Sequence, residues 1–154
     1  VVSDKIAETM NNLPEDAKFM HGYTNSAHPT AAAVGLRNLQ IMEDENLVEN
    51  AAKMGERLSS KLQETFHGHP HVTNIRNLGL MVGFSIVKDS ATGEPYAVSE
   101  GHGKRVLAHM RDQGNVLPRN INDEILLAPP LVINADEIDQ IVAAATNAIS
   151  YVTE

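Results

Sequence analysis

Two side chains of this sequence are suited to hold an anion: the Thr24 hydroxyl, in the polar, glycine-bearing stretch EDAKFMHGYTNSA, and the Arg119 guanidinium, between a short apolar run and a second one. A guanidinium grips a carboxylate with two parallel charge-assisted hydrogen bonds, and a loop hydroxyl can donate to a phosphate. Each has an ordinary reading too. An arginine after a short strand is commonly a solvated surface charge, and a loop threonine commonly bonds its own backbone. Ser26 and His28 have the types of a nucleophile and its base, but no glycine elbow flanks the serine, and a role at a helix start accounts for both. His67, His69 and His71 alternate and would share one face of a strand. Pro70 interrupts them and no carboxylate completes a metal-ligand spacing, so a solvated turn is the expectation and no metal is assigned. Gly79 and Gly83 do not form the glycine fingerprint of a dinucleotide site and read as a strand bend or a close backbone contact.

The elements that position these groups follow from periodicity. Ser3 to Leu13 suits a short helix with Ser3 as its N-cap, ended by Pro14. After the polar loop, Pro29 opens an Ala-rich helix whose small side chains predict burial against a large neighbouring element. Leu47, Ala51, Met54, Leu58, Leu62 and Phe66 make one stripe of a helix from Asn46 to about Phe66. The β-branched segment VTNIRNLGLMVGFSIVKD predicts two strands joined near Asn77 to Gly79. A helix from Ser99 to Gln113, stopped by Gly114, precedes short strands at Asn115 to Pro118 and Glu124 to Ala128, with a polar loop opened by Arg119 between them. The last helix starts from Asn134 and Glu137 in capping-box spacing, with Ile138, Ile141, Val142, Ala145, Ile149 and Val152 as its core stripe. The layout is α+β, helices laid on a small, mainly antiparallel sheet.

Composition narrows the function. The chain has 154 residues, 42% hydrophobic and 21% charged, enough to bury about two-thirds of its extended surface. A formal charge of −8 argues against nucleic-acid and anionic-membrane partners. Its longest weakly polar run, Leu78 to Val87, is about half of what a bilayer span needs. With no cysteine there is no disulfide scaffold or thiol nucleophile, which fits a reducing compartment, and cytoplasm is the expected location. The opening VVSDKIAE has neither an initiator Met nor a signal segment and reads as the middle of a longer protein.

Taken in order, four blocks resemble the C-terminal part of class III pyridoxal-phosphate aminotransferases, the omega-transaminase group of fold type I. VVSDKIAE is similar to the helix after the cofactor-lysine segment. Phe19-Met20-His21-Gly22-Tyr23-Thr24, with Ser26, His28 and Pro29, is similar to the phosphate loop and long helix. Val72 to Gly83 is similar to the strand bearing the R-G-x-G-L motif, with Asn77 in place of its first glycine, and PRNINDEILLAPPLVI is similar to the arginine loop and closing Pro-Pro strand.

The resemblance implies residues 1–45 as the end of the large cofactor-binding domain and 46–154 as the C-terminal small domain. It implies that Thr24 contacts the phosphate of pyridoxal 5′-phosphate in the neighbouring subunit's active site, with Tyr23 beside it in a lesser role. Arg119 becomes the mobile arginine that binds the carboxylate of an amino or keto acid. The Schiff-base lysine and the aspartate that pairs the pyridinium nitrogen belong to sequence before Val1. Lys5, on the first turn of a helix, is not that lysine, so this chain alone is expected to be inert. The implied parent is a homodimer with shared active sites that moves an amino group from an amine or omega-amino acid to a keto acid such as pyruvate. An aminomutase or decarboxylase of the same class, and a non-catalytic ligand-binding or dimerisation module, remain open; a lysine about 15 to 20 residues before Val1 would favour the enzyme.

Overall fold

The computed structural model describes residues 2–154, and the chain divides between Ile41 and Met42 into two compact units. The first holds α1 (Asp4–Asn11), a loop with one short turn of 3₁₀ helix at Glu15–Ala17, and most of α2 (Pro29–Asp44). Pro29 is the first residue of α2, where a missing amide costs nothing. The expected Ser3 cap forms only through its backbone: the Ser3 carbonyl accepts from the amides of Ile6 and Ala7, both at 3.0 Å, and its hydroxyl makes no capping bond. Neither α1 nor α2 has a buried residue, and Val34 and Leu36 of α2 are each 64% exposed. The burial that the Ala-rich composition predicts for α2 is therefore not found among the described residues.

The second unit holds α3 (Leu47–Thr65), β1 (Val72–Leu78), β2 (Met81–Ile86), α4 (His102–Gly114), β3 (Arg119–Ile121), β4 (Glu124–Leu127) and α5 (Ala135–Thr153). The strands form one antiparallel sheet in the order β1-β2-β4-β3. α3 packs on β1 and β2, α4 packs on β3 and β4, and α5 runs against both helices. The α3 stripe is buried as its spacing predicts, with Leu58 and Leu62 sealed from solvent, and meets Phe84, Ile125, Val106, Met110, Ile138 and Ile149 in one continuous core. The Asn134 side chain accepts from the amides of Asp136 (2.9 Å) and Glu137 (3.0 Å), and Glu137 returns the contact to the Asn134 amide at 2.9 Å, completing the capping box.

Three boundaries differ from the sequence expectation. α4 starts at His102 rather than Ser99, because Gly101 takes a left-handed conformation (φ 64°) after a separate 3₁₀ turn at Val98–Glu100. Its left-handed C-cap is Asn115 (φ 53°), not Gly114. Gly114 serves packing instead, since a Cβ there would lie 2.5 Å from Ala144 Cβ on α5. The Val116 amide folds back onto the Met110 carbonyl (3.0 Å), so Asn115 to Pro118 carry the chain out of the helix rather than forming a strand. Pairing begins at Arg119, which therefore lies in β3 and not in a loop.

Two further glycines seat helices directly on hairpin turns. A Cβ on Gly55 of α3 would overlap the Gly79 carbonyl in the β1–β2 turn, and one on Gly103 of α4 would overlap the Asn122 carbonyl in the β3–β4 turn. Asp123 adds a tether, accepting from the Gly103 amide at 2.7 Å at the start of α4.

Candidate functional site

In the second unit the sheet has a helix-covered face and a bare one, and the bare one carries the charges. Register places Arg76, Gly83, Leu126 and Arg119 in one row across β1, β2, β4 and β3; Ser85, Glu124 and Ile121 form the next row. Side chains in such rows share a face. Arg76 and Arg119, with Leu78, Met81, Leu117 and Leu126, line an open concavity of about 800 Å³. The Arg119 side chain is exposed and has neither a hydrogen-bond nor a salt-bridge partner among the described residues. An unpaired guanidinium beside an apolar trough can take a carboxylate whose carbon chain lies along the trough.

Arg76 escapes a reading of the sequence that treats β1 as a regular strand. From Thr73 outward, strict alternation would turn Arg76 to the helix-covered face. The register shifts by one residue between Thr73 and Arg76, where Asn74 adopts a left-handed conformation (φ 54°). This bulge sends Ile75 towards the core and Arg76 to the bare face. The only local clue is Asn74 itself, one of the few residue types that tolerate that conformation.

Arg76 crosses β2 above Gly83, its Cζ 3.4 Å from where a Cβ would stand, and donates to Glu124 Oε2 at 2.7 Å. It also donates to the Asn74 carbonyl at 3.0 Å, while the Ser85 hydroxyl donates to Glu124 Oε1. Burial is the largest influence on the Glu124 carboxyl and pushes it up. The hydrogen bonds from Ser85 and Arg76, with the Arg76 charge, outweigh it and hold the group below its ordinary value.

In the first unit, Thr24 occupies a corner of two successive turns. The Tyr23 carbonyl accepts from the Ser26 amide (2.9 Å), and Asn25 from the His28 amide (3.3 Å), with Ala27 left-handed at φ 57°. Ser26 and His28 serve this local architecture: the Ser26 hydroxyl accepts from the Tyr23 amide at 3.2 Å, and the His28 carbonyl takes the Ala32 amide at 3.0 Å in the first turn of α2. Thr9, Thr92, Thr146 and Thr153 each spend their hydroxyl on a nearby group of their own segment. The Thr24 hydroxyl has no such bond among the described residues and faces solvent. Tyr23 is exposed and meets His21 edge-on at 4.9 Å; the Phe19 ring lies 5.5 Å from the same imidazole. Lys5 is exposed in the first turn of α1.

The histidine run packs locally. The His71 amide donates to His69 Nδ1 (3.1 Å), and His71 Nδ1 lies 3.0 Å from the Tyr96 hydroxyl. Burial first, then the nearby His71, lower the His69 pKa. No helix among the described residues is long and apolar enough to cross a membrane.

A free hydroxyl on a polar turn and an unpaired guanidinium on a bare sheet face are groups that anionic ligands need, which fits a phosphate-bearing cofactor and an acidic substrate. The chain belongs to the class-III aminotransferase family, which it matches over residues 1–149. It is 34% identical to the putrescine–pyruvate aminotransferase of Pseudomonas aeruginosa over 146 residues, 94% of this chain and 31% of that protein. Among solved structures it resembles an (S)-enantioselective omega-transaminase from Thermomicrobium roseum (TM-score 0.89, 38% identity, 99% of this chain and 33% of that one). It also resembles a PLP-bound amine transaminase from an uncultivated Pseudomonas species (TM-score 0.87, 36% identity, 96% of this chain and 33% of that one). The chain thus spans about a third of the length of the proteins it matches. Class III aminotransferases depend on pyridoxal 5′-phosphate.

Proposed function

We propose that this chain is the C-terminal part of a transaminase that moves an amino group from an amine or omega-amino acid to a keto acid such as pyruvate. In this reading residues 1–45 end the large cofactor-binding domain and 46–154 form the small domain. Bound pyridoxal phosphate supplies an electron sink for the substrate carbon. The residues of this chain hold and orient. Thr24 donates its hydroxyl to the cofactor phosphate of the neighbouring subunit, with Tyr23 alongside, and Arg119 binds the substrate carboxylate and withdraws for amines that lack one. The parent is then a cytoplasmic homodimer with shared active sites.

The observation that carries this reading is Arg119, left without a partner at the edge of the concavity on the bare sheet face. Support for the cofactor contact is the unspent Thr24 hydroxyl. One charge-assisted hydrogen bond to a phosphate is worth about 1.5 to 3 kcal/mol. In the full-length protein Thr24→Ala is therefore expected to weaken cofactor binding about tenfold to a hundredfold by equilibrium dialysis, and Thr24→Ser to retain most of the affinity. An unchanged dissociation constant for Thr24→Ala would remove Thr24 from the cofactor site.

A further inference from the structure

The four strands carry three charged residues, Arg76, Arg119 and Glu124, and all three lie on the bare face. One carboxylate therefore stands between two guanidiniums. Glu124 is a diagonal neighbour of Arg119, because Arg119 pairs with Leu126 and Ile121 pairs with Glu124 on the adjacent strand. Diagonal neighbours on one face are about 7 to 8 Å apart, within reach of two long side chains. Arg76 is two strands from Glu124, so by strand distance alone Arg119 is the nearer partner. The structure has the opposite pairing.

We propose that Arg76 is a positioning residue: by drawing the Glu124 carboxylate across β2, it keeps that carboxylate off Arg119 and leaves Arg119 available to an acidic substrate. This rests on the reading of Arg119 as the carboxylate anchor. Three local features build the arrangement. The bulge at Asn74 turns Arg76 outward, and the Asn74 carbonyl holds its guanidinium at 3.0 Å. Gly83 leaves the passage over β2 open, where a Cβ would be 3.4 Å from Arg76 Cζ. Ser85 donates to the second Glu124 oxygen, so each oxygen already has a donor other than Arg119. Glu124 and Arg76 neutralise each other, and the positive charge that remains on this face is the one at Arg119.

The test uses the full-length holoenzyme. Arg76→Met frees Glu124, and a surface ion pair with Arg119 then competes with substrate. The KM for pyruvate is expected to rise about twofold to sixfold, while kcat/KM for a carboxylate-free amine stays within about 1.5-fold of wild type. Glu124→Gln in the Arg76→Met background removes the competitor and restores the KM, and Arg76→Lys, which keeps a cation for Glu124, stays near wild type. A double variant as impaired as Arg76→Met alone would show that Arg76 acts only through the stability of the sheet and would overturn the proposal; so would an unchanged KM in Arg76→Met. A second readout is independent of turnover. The crystal structure of the Arg76→Met variant is expected to have the Glu124 carboxylate within salt-bridge distance of Arg119, and a carboxylate still on Ser85 and away from Arg119 contradicts the idea whatever the kinetics. If Arg119→Ala itself leaves keto-acid use intact, the anchor reading fails separately, and the crystallographic arm still decides where Glu124 goes.

Discussion

In the full-length protein, Arg119→Ala is expected to lower kcat/KM for a keto-acid acceptor about a hundredfold and to leave a carboxylate-free amine within about threefold of wild type. The size follows from the hydrogen bonds that the guanidinium makes to a carboxylate. A bidentate pair has two of them, both charge-assisted, and removing about 3 kcal/mol of binding in the transition state corresponds to about two powers of ten in rate. The selectivity follows from where Arg119 sits. It begins β3 at the edge of the open concavity, is exposed, and has no partner among the described residues whose removal would disturb the fold. Leu126, its cross-strand neighbour, packs against Gly83 on β2, its Cδ2 3.2 Å from where a Cβ would stand. The substitution thus removes a charge and little packing. Steady-state kinetics on the two substrate types checks it; an equal fall for both would mean that Arg119 supports the site in general and does not select carboxylates.

Gly55→Ala is expected to cost the second unit about 3 kcal/mol or more of stability. The added Cβ would overlap the carbonyl of Gly79 and sit 2.9 Å from its Cα. These are backbone atoms of a turn whose own glycine is left-handed at φ 55°, so no flexible side chain can yield. Overpacking of this kind costs about 1 to 3 kcal/mol where side chains can move, and more where they cannot. Relief requires α3 to back away from the β1–β2 hairpin, opening the core at Met54 and Leu58. Lys53, exposed on the same helix, is the control: alanine there favours helix and does not lower the unfolding midpoint. Urea unfolding followed by circular dichroism separates the two, and a Gly55→Ala midpoint equal to that of the control would contradict the close approach.

How much of this was legible in the sequence depends on the element. The α3 stripe, the Pro29 start of α2 and the Asn134–Glu137 capping box were, because each rests on local spacing that packing only reinforces. The route from α4 into β3 was not. Gly114 has the residue type of a helix stop, but contact with Ala144 fixes its role, and Asn115 makes the left-handed turn. That moved the strand onto Arg119 and placed the arginine in a paired row. Arg76 was hidden for a related reason: one extra residue at Asn74 reverses the alternation that a period-two reading assumes. Thr24 and Arg119 were ordinary loop and surface residues by their chemistry alone. The resemblance singled them out, and the structure adds that the Thr24 hydroxyl and the Arg119 guanidinium are both unspent among the described residues.

Turnover is the measurement that bears most directly on the central claim. The full-length protein, supplied with pyridoxal phosphate, an amine donor and pyruvate, is expected to form alanine, and residues 1–154 alone under the same conditions are expected to form none. Alanine production by the isolated chain at the full-length rate, or a full-length protein that binds the cofactor yet transfers no amino group to any keto acid, would contradict the account.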